Sequence, residues 1–365
     1  MALSKIQVSS MADNTIHGRR NRIINSDMKI DQRNAGASVT ISTDSTYTLD
    51  RWIARTDGTD ASKYSVQLNA GSVMPPDVFN NYLGVTSLSS YSSSSTNYYW
   101  LAQFIEGYNV ADLKWGTASA GTVTLSFWVY SSLTGTFSGS LVNGGYNRSY
   151  AFTYSVPTAN TWTKINVTIT GDTTGTWLTT NGLGLQVRFN LGSGSNNLTT
   201  AGSWQAGNYA GVTGSVSVVG TSGATFYMTG VQLEVGSVAT PFEHASSFGE
   251  QLALCQRYYY HTYSYGTPAG TTFNQDYESP IIIIGTGNHG MGVCNGVYPV
   301  EMRVAPTLSF YSSDGTANKI RHWGGAHASY GTVNRSTRQI LGMSFNAGTN
   351  PEDFYSAALV CDAEL

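Results

Sequence analysis

Apolar and polar side chains alternate with a period of two along much of the first two thirds of the chain. In residues 122–130, Val123, Leu125, Phe127 and Val129 share one parity, and Thr124, Ser126, Trp128 and Tyr130 share the other. Residues 162–170 set Ile165, Val167 and Ile169 against Lys164, Asn166 and Thr168. Residues 183–191 set Leu183, Leu185, Val187, Phe189 and Leu191 against Gln186, Arg188 and Asn190. Successive side chains of a strand point to opposite faces, so each run predicts a strand with one buried face. One-sided alternation marks antiparallel sheets whose other face is wet. Residues 64–68, 98–105 and 150–156 add weaker strands. A region of this length must cover its apolar faces, and two packed sheets in a jelly roll fit best. Spacing alone does not separate a jelly roll from another sandwich.

The pattern changes between Phe226 and Tyr260. Phe226 and Met228 hold even positions, whereas Val231, Leu233 and Val235 hold odd ones, with Gly230 between them. A glycine at a change of phase predicts a bulge or kink. Ser247 and Glu250 then form a capping-box pattern, followed by Phe248, Leu252, Cys255 and Tyr259 at helical spacing. Beyond this helix, residues 261–365 return to strand patterns at 280–284, 341–345 and 355–360. A further pair over 297–310 is interrupted by Pro299 and Pro306. The predicted class is all-β: a jelly-roll β-sandwich, one short helix and a smaller C-terminal β domain. Its predicted divisions are an extended arm over 1–20, the sandwich over 21–245, a linker helix over 246–260 and the β domain over 261–365. The absence of an internal repeat excludes a solenoid.

Composition narrows the function classes. Charged residues make up 11% of the 365, against about a quarter in an ordinary globular protein, while glycine contributes 40 residues and aromatics 12%. Low charge with abundant rings argues against disorder. A net charge of −3 gives no footprint for nucleic acid. Cys255, Cys294 and Cys361 have no metal-type spacing and are expected as buried free thiols. The start MALSKIQVSS has no apolar segment of signal-peptide type, and the aliphatic run 281–284 is too short for a bilayer. Synthesis in a cytoplasm and no membrane insertion are therefore expected. His17, Arg19, Arg20 and Arg22 form a small basic cluster at the end of the arm.

Candidate chemistry centres on sugar. If the strands over 122–130 and 183–191 share a sheet, Trp128 and Tyr130 lie near Gln186, Arg188 and Asn190. Flat rings beside amides and a guanidinium suit the alternating C–H and O–H faces of a saccharide. Two loops offer further contacts: the serine-rich stretch 87–97 with Tyr91, and the Gly/Ser/Asn-rich stretch 192–209 with Trp204. Metal chemistry is weakly represented. His289 with Cys294 and His322 with His327 supply two ligands each, and Asp50, Asp57 and Asp60 are the best Ca²⁺ donors. Asp276 and Glu278 are the nearest approach to a carboxylate pair, and no nucleophile elbow, zincin motif or P-loop is present. No cofactor, no metal and no catalytic activity are expected.

Three stretches carry a resemblance. GVQLEVGSVATPFE from Gly230, leading to a helix that ends LCQRYYY at Tyr260, is similar to the module junction of tailed-bacteriophage structural proteins of tail-fibre type. NRIINSDMKIDQRNAG with YTLDRW, between Asn21 and Trp52, and the terminal CDAEL from Cys361 resemble the same family. The order of strands also resembles carbohydrate-binding modules of the galactose-binding-like type. The resemblance implies a virion protein, a short tail fibre or adhesin in the tail rather than the head. It implies a homotrimer docked to other virion subunits through an N-terminal arm bearing Arg19, Arg20 and Arg22, with its outer surface against host glycan. The aromatics of YYYHTYSY (Tyr258–Tyr265) are the expected trimer interface. A head decoration or cement protein is the first alternative, and a glycan hydrolase with an unrecognised site is the second.

Overall fold

The computed structural model describes residues 19–365 except 58, 77, 245–246, 275–280, 287–290, 323–326, 329–332, 335–336 and 347–353. The bulk of the predicted arm, together with His17, Asp276, Glu278 and His289, lies outside the described residues, as do the side chains of Cys294, His322 and His327. The chain forms two compact units. The first contains residues 19–28, Thr40–Thr46 and Ile53–His244; the second contains Lys29–Val39, Tyr47–Trp52 and Ala245–Leu365.

The first unit is a jelly-roll β-sandwich. One sheet runs Val39–Thr40, Tyr64–Leu68, Leu83–Ser87, Thr225–Val235, Val123–Ser131, Thr163–Ile169. The other runs Trp204–Ala206, Arg148–Val156, Gly135–Asn143, Leu183–Asn190, Tyr99–Glu106, Trp52–Thr56, Ser45–Tyr47. The predicted inward parities hold: Val123, Leu125, Phe127 and Val129 from one sheet meet Leu185, Val187 and Phe189 from the other, all buried. Phe127 and Phe189 touch edge-to-face across the core with centroids 5.1 Å apart. Burying each such side chain contributes about 1.5–3 kcal/mol.

The phase change at Gly230 is a bulge. Pairing between Thr225–Val235 and Val123–Ser131 slips between Thr229 and Gln232, and Gly230 has φ +61°. A Cβ there would lie 2.3 Å from the Phe79 ring. Gly135–Asn143 is a strand that the sequence did not announce. Its Phe137 and Leu141 face the core, while Gly139 admits the Phe152 ring, which a Cβ would meet at 2.6 Å.

Two expectations are corrected here. Val123–Ser131 and Leu183–Asn190 lie in different sheets, so Trp128 and Tyr130 are on the outer face of one while Gln186, Arg188 and Asn190 are on the outer face of the other. That second face is not wet: Gln186, Arg188 and Asn190 are at most 2% exposed. The chain between Leu198 and Ser215 lies across it and bonds to its serines. Ser149 Oγ donates to Gly207 O (2.6 Å), Ser140 Oγ donates to Tyr209 O (2.7 Å), and Val212 N donates to Ser138 Oγ (3.1 Å).

In the second unit Phe354–Asp362 pairs antiparallel with Tyr259–His261, Ile281–Thr286, Thr307–Tyr311 and Ile320–His322. The α-helix Phe248–Gln256 is capped as expected, Ser247 Oγ accepting from Glu250 N at 3.1 Å. Its buried face differs from the predicted stripe. Gln251 and Cys255 are buried, Phe248 is exposed, and Tyr259 opens a strand. Tyr258, Tyr259 and Tyr263 are buried within this unit, so these three rings are core and not the open surface expected of them. Tyr265 alone of these four is exposed, edge-to-face with Phe248 at 4.9 Å. Cys255 and Cys361 are buried free thiols, and burial pushes Cys361 up to about 12.

Ion pairs and rings close the unit. Arg33 pairs with Asp362 (3.3 Å) and Glu364 (3.1 Å) and stacks on Tyr259 (3.7 Å). Arg51 pairs with Glu364 and stacks on Tyr258 (3.5 Å). Gln32 donates to both oxygens of the buried Asp50, through N (2.7 Å) and Nε2 (2.6 Å).

Candidate functional site

The sequence-derived candidates fall in four separate places. Trp128 is half-buried, opposite Lys164 and Thr229 in register. Tyr130 belongs to a packed cluster, stacked on Tyr227 (5.4 Å, 5° between planes) and tilted against Trp162 (5.5 Å). Trp204 belongs to a cluster of rings. It meets Trp115 (5.2 Å), Trp177 (5.3 Å) and Tyr150 (5.5 Å) edge-on, and its indole N–H donates to Thr170 O. The buried group around Arg188 forms the third place, and Tyr91 the fourth.

The arginines expected to dock to a partner are engaged within the first unit. Arg20 N donates to Glu243 Oε1 (3.1 Å), its Nη2 donates to Pro241 O (2.9 Å), and its Nε lies 3.2 Å from Glu234. Arg22 pairs with Asp112 at 2.5 Å, and Arg19 donates to Ile23 O. Asn21, Gln232, Glu234 and Glu243 complete this knot. Asn21 N donates to Glu243 Oε2 (2.6 Å), Glu243 N donates to Gln232 Oε1 (2.8 Å), and Gln232 Nε2 donates to Glu234 Oε1 (2.9 Å).

Among the described residues, Tyr91 lines an open cavity. Ser90, Tyr91, Ser92, Ser93, Gly192, Ser193, Ser217 and Gly220 border about 470 Å³, within the roughly 300–1,000 Å³ of small-molecule sites. Three loops build it, and glycine permits their approach. Gly192 has φ +131°, and a Cβ on it would lie 2.2 Å from Ser217 Oγ. Tyr91 N donates to Val219 O (2.9 Å), tying one wall to the other. Ser93 Oγ donates to Gly192 O (2.5 Å) at the floor.

A relay of polar groups fixes the Tyr91 ring. Tyr91 Oη donates to Asn97 Oδ1 (3.0 Å), which also accepts from Ser94 N (2.7 Å) and Ser94 Oγ (2.8 Å). The buried Asn97 turns its Nδ2 to Asp57 (3.0 Å) and Asp60 (3.1 Å), filling the space between the two carboxylates that a cation would need. Among the described residues no group of three or more His, Cys, Asp or Glu could hold a metal, and Asp50 lies in the other unit. The Thr59 backbone N–H and hydroxyl hold Asp57 below the usual carboxylate range. Lys63 Nζ sits 4.3 Å over the ring.

The serine hydroxyls of the lining keep free hydrogen-bonding capacity. Ser90 Oγ accepts from Ser222 N (3.1 Å) and Ser217 Oγ accepts from Gly220 N (3.1 Å), so each keeps a proton to give. Ser93 gives its proton to Gly192 and keeps lone pairs. The arrangement offers one aromatic face, donors and acceptors, and no charged nucleophile or base among its lining residues.

No protein-family model matches the sequence, and no curated protein matches it. Solved structures with a similar fold include a putative sugar binding protein from Bacteroides thetaiotaomicron, at 12% identity over 60% of this chain and 100% of that one, TM-score 0.31. TmCBM61 in complex with beta-1,4-galactotriose aligns at 9% identity over 60% of this chain and 100% of that one, TM-score 0.30. The family 11 carbohydrate-binding module from Clostridium thermocellum aligns at 11% identity over 55% and 97%, TM-score 0.27. The two sheets themselves, not this likeness, carry the fold assignment.

Proposed function

We propose that this protein binds saccharide in the serine-lined cavity beside Tyr91, as a non-enzymatic attachment protein of a tailed-bacteriophage particle. The cavity carries the first half of the reading: about 470 Å³ walled by serine hydroxyls, with one ring held in place by Asn97. A site of one stacked ring and a few hydrogen bonds binds with Kd near a millimolar, about −4 kcal/mol. Several copies on one particle make later contacts intramolecular and raise avidity by about 10² or more.

The second half rests on the resemblance of three stretches, which also pack against one another. Gln32 and Arg33 from the first stretch, Asp50 and Arg51 from YTLDRW, Tyr258 and Tyr259 from the junction and Glu364 from CDAEL bond to one another in one compact unit. In the other, Asn21 bonds to Glu243, and Gln232 links Glu243 to Glu234. Residues far apart in sequence are thus held as one set by mutual contacts. On this reading the protein is a short tail fibre or adhesin, trimeric, with its N-terminal segment toward other virion subunits and its loops toward host glycan.

A glycan array probed with the whole protein tests the binding. Tyr91→Ala is expected to weaken every neutral-glycan hit at least tenfold with the thermal midpoint little changed, whereas Tyr91→Phe keeps the ring and most of the affinity. Neutral glycans that survive Tyr91→Ala undiminished would place the site elsewhere. Label on intact particles should appear at the tail; label over the head would favour a decoration protein. Mass photometry at micromolar concentration should return three copies, and a monomer would contradict the trimer.

A further inference from the structure

Arg188 is a cation without an anion. It is 1% exposed, and among the described residues no carboxylate lies within ion-pair distance of it. Its Nε (3.0 Å) and Nη2 (2.7 Å) donate to Gln186 Oε1, and its Nη1 donates to Asn208 Oδ1 (2.8 Å). The guanidinium lies between two rings, 4.4 Å from Trp100 and 5.6 Å from Tyr146. A second guanidinium, Arg55, sits 5.1 Å from the same Trp100 but has its own carboxylate, Asp44 (3.1 Å). Taking a lone charge out of water costs several kcal/mol, and neutral amide oxygens return only part of that. Burial accordingly pushes the Arg188 pKa down to about 9.

The cover over Arg188 is thin on one side. Asn208, whose amide oxygen accepts from Nη1, is itself an exposed residue. Tyr146, 37% exposed, has its ring 5.6 Å from the same guanidinium. It has φ +57°, a left-handed conformation that a bulky side chain rarely adopts and that costs on the order of 1 kcal/mol or more. Asn143 enforces it. Tyr146 N donates to Asn143 O (3.1 Å), and Asn143 Oδ1 accepts from Asn147 N (3.0 Å) and Arg148 N (3.1 Å). The turn NGGYNR places glycine at 144 and 145 and a tyrosine at the strained position, beside the guanidinium. Strain of this kind persists where the surroundings hold it, and it concentrates at binding sites.

We infer that Arg188, Asn208 and Tyr146 form a second binding site, separate from the Tyr91 cavity, that takes the carboxylate of an acidic sugar. The carboxylate displaces the Asn208 amide from Nη1, and the sugar ring lies against the exposed Tyr146. A carboxylate on a buried guanidinium adds the attraction of opposite charges to a hydrogen bond that the neutral amide makes without it. Neutral Asn208 thus serves as a stopper that satisfies Arg188 in the free protein and yields to a charged ligand. An internal carboxylate at the same position would hold the site shut.

Three proteins and three ligands test this. Wild type is titrated with trigalacturonate, with its methyl ester (same shape, no charge) and with hexaglutamate. Trigalacturonate is expected to bind at least tenfold tighter than the ester and tighter than the peptide. Asn208→Asp gives Arg188 a permanent partner, so its thermal midpoint should rise while trigalacturonate affinity falls at least tenfold. Asn208→Ala removes the stopper and should bind trigalacturonate at least as well as wild type. The inference is overturned if acid and ester bind alike, if hexaglutamate binds more tightly than the saccharide, or if Asn208→Asp leaves both stability and affinity unchanged. Glycans that depend on Tyr91 are measured on the same proteins. Their retention in Asn208→Asp would show that the two sites stand or fall separately.

Discussion

At the scale of single residues, parity was legible and wetness was not. Alternation correctly put Leu185, Val187 and Phe189 in the core and Gln186, Arg188 and Asn190 on the opposite face. It could not show that the segment 198–215 covers that face, because the covering contacts run from serine hydroxyls to backbone atoms and leave no hydrophobic signature. Tyr91 was readable as a candidate from its serine-rich loop. Asn97, which fixes it, was not, since a lone asparagine in a polar tract carries no pattern. His261 was equally silent and makes a testable case. It is buried, Nε2 lies 3.0 Å from Gln32 O and must carry the proton to bond there, and burial leads the lowering of its pKa from 6.5. A base whose folded pKa is depressed contributes stability that is present above the unfolded value and lost as pH falls through the folded one. Urea midpoints should therefore drop as pH falls from about 7 to about 5, and His261→Gln should flatten that slope. An unchanged slope in the variant would contradict the assignment.

Among elements, the strongly alternating strands and the capped helix were found close to their true ends, and weakly patterned ones were missed. Gly135–Asn143 reads GTFSGSLVN, in which serine holds the outward positions and glycine one inward position, so the sequence resembles a turn. Its place between Arg148–Val156 and Leu183–Asn190 supplies what its own side chains lack. The helix stripe failed for a related reason. The helix ends at Gln256 with Arg257 as its cap, so Tyr258 reaches the core from the following turn and Tyr259 from the strand that it opens. The bulge at Gly230 was legible because a phase change with glycine has few other causes. Gly230→Ala must place a Cβ 2.3 Å from the Phe79 ring at φ +61°. It should cost about 1–3 kcal/mol or more, read as a lower urea midpoint with the slope unchanged. A neutral result would mean that the bulge and Phe79 shift freely, and the register given for Thr225–Val235 would need revision.

For the whole molecule, the sequence pointed to one sandwich followed by one small β domain, whereas the second unit draws on three separated stretches of the chain, Lys29–Val39, Tyr47–Trp52 and Ala245–Leu365. Periodicity is local and cannot see such weaving. The polar residues of the resembling stretches, Gln32, Asp50, Arg51 and Glu364 among them, were the only trace of it, and their meaning appears once their contacts do. The central claim, saccharide in the cavity beside Tyr91, is tested most directly by chemical-shift mapping of the full chain with the best glycan from the array. Backbone amides of residues 90–93, 192–193 and 217–220 should shift together and saturably, while the Trp128 indole stays still. Shifts gathered at Trp128, or spread without a cluster at these three loops, would contradict the account.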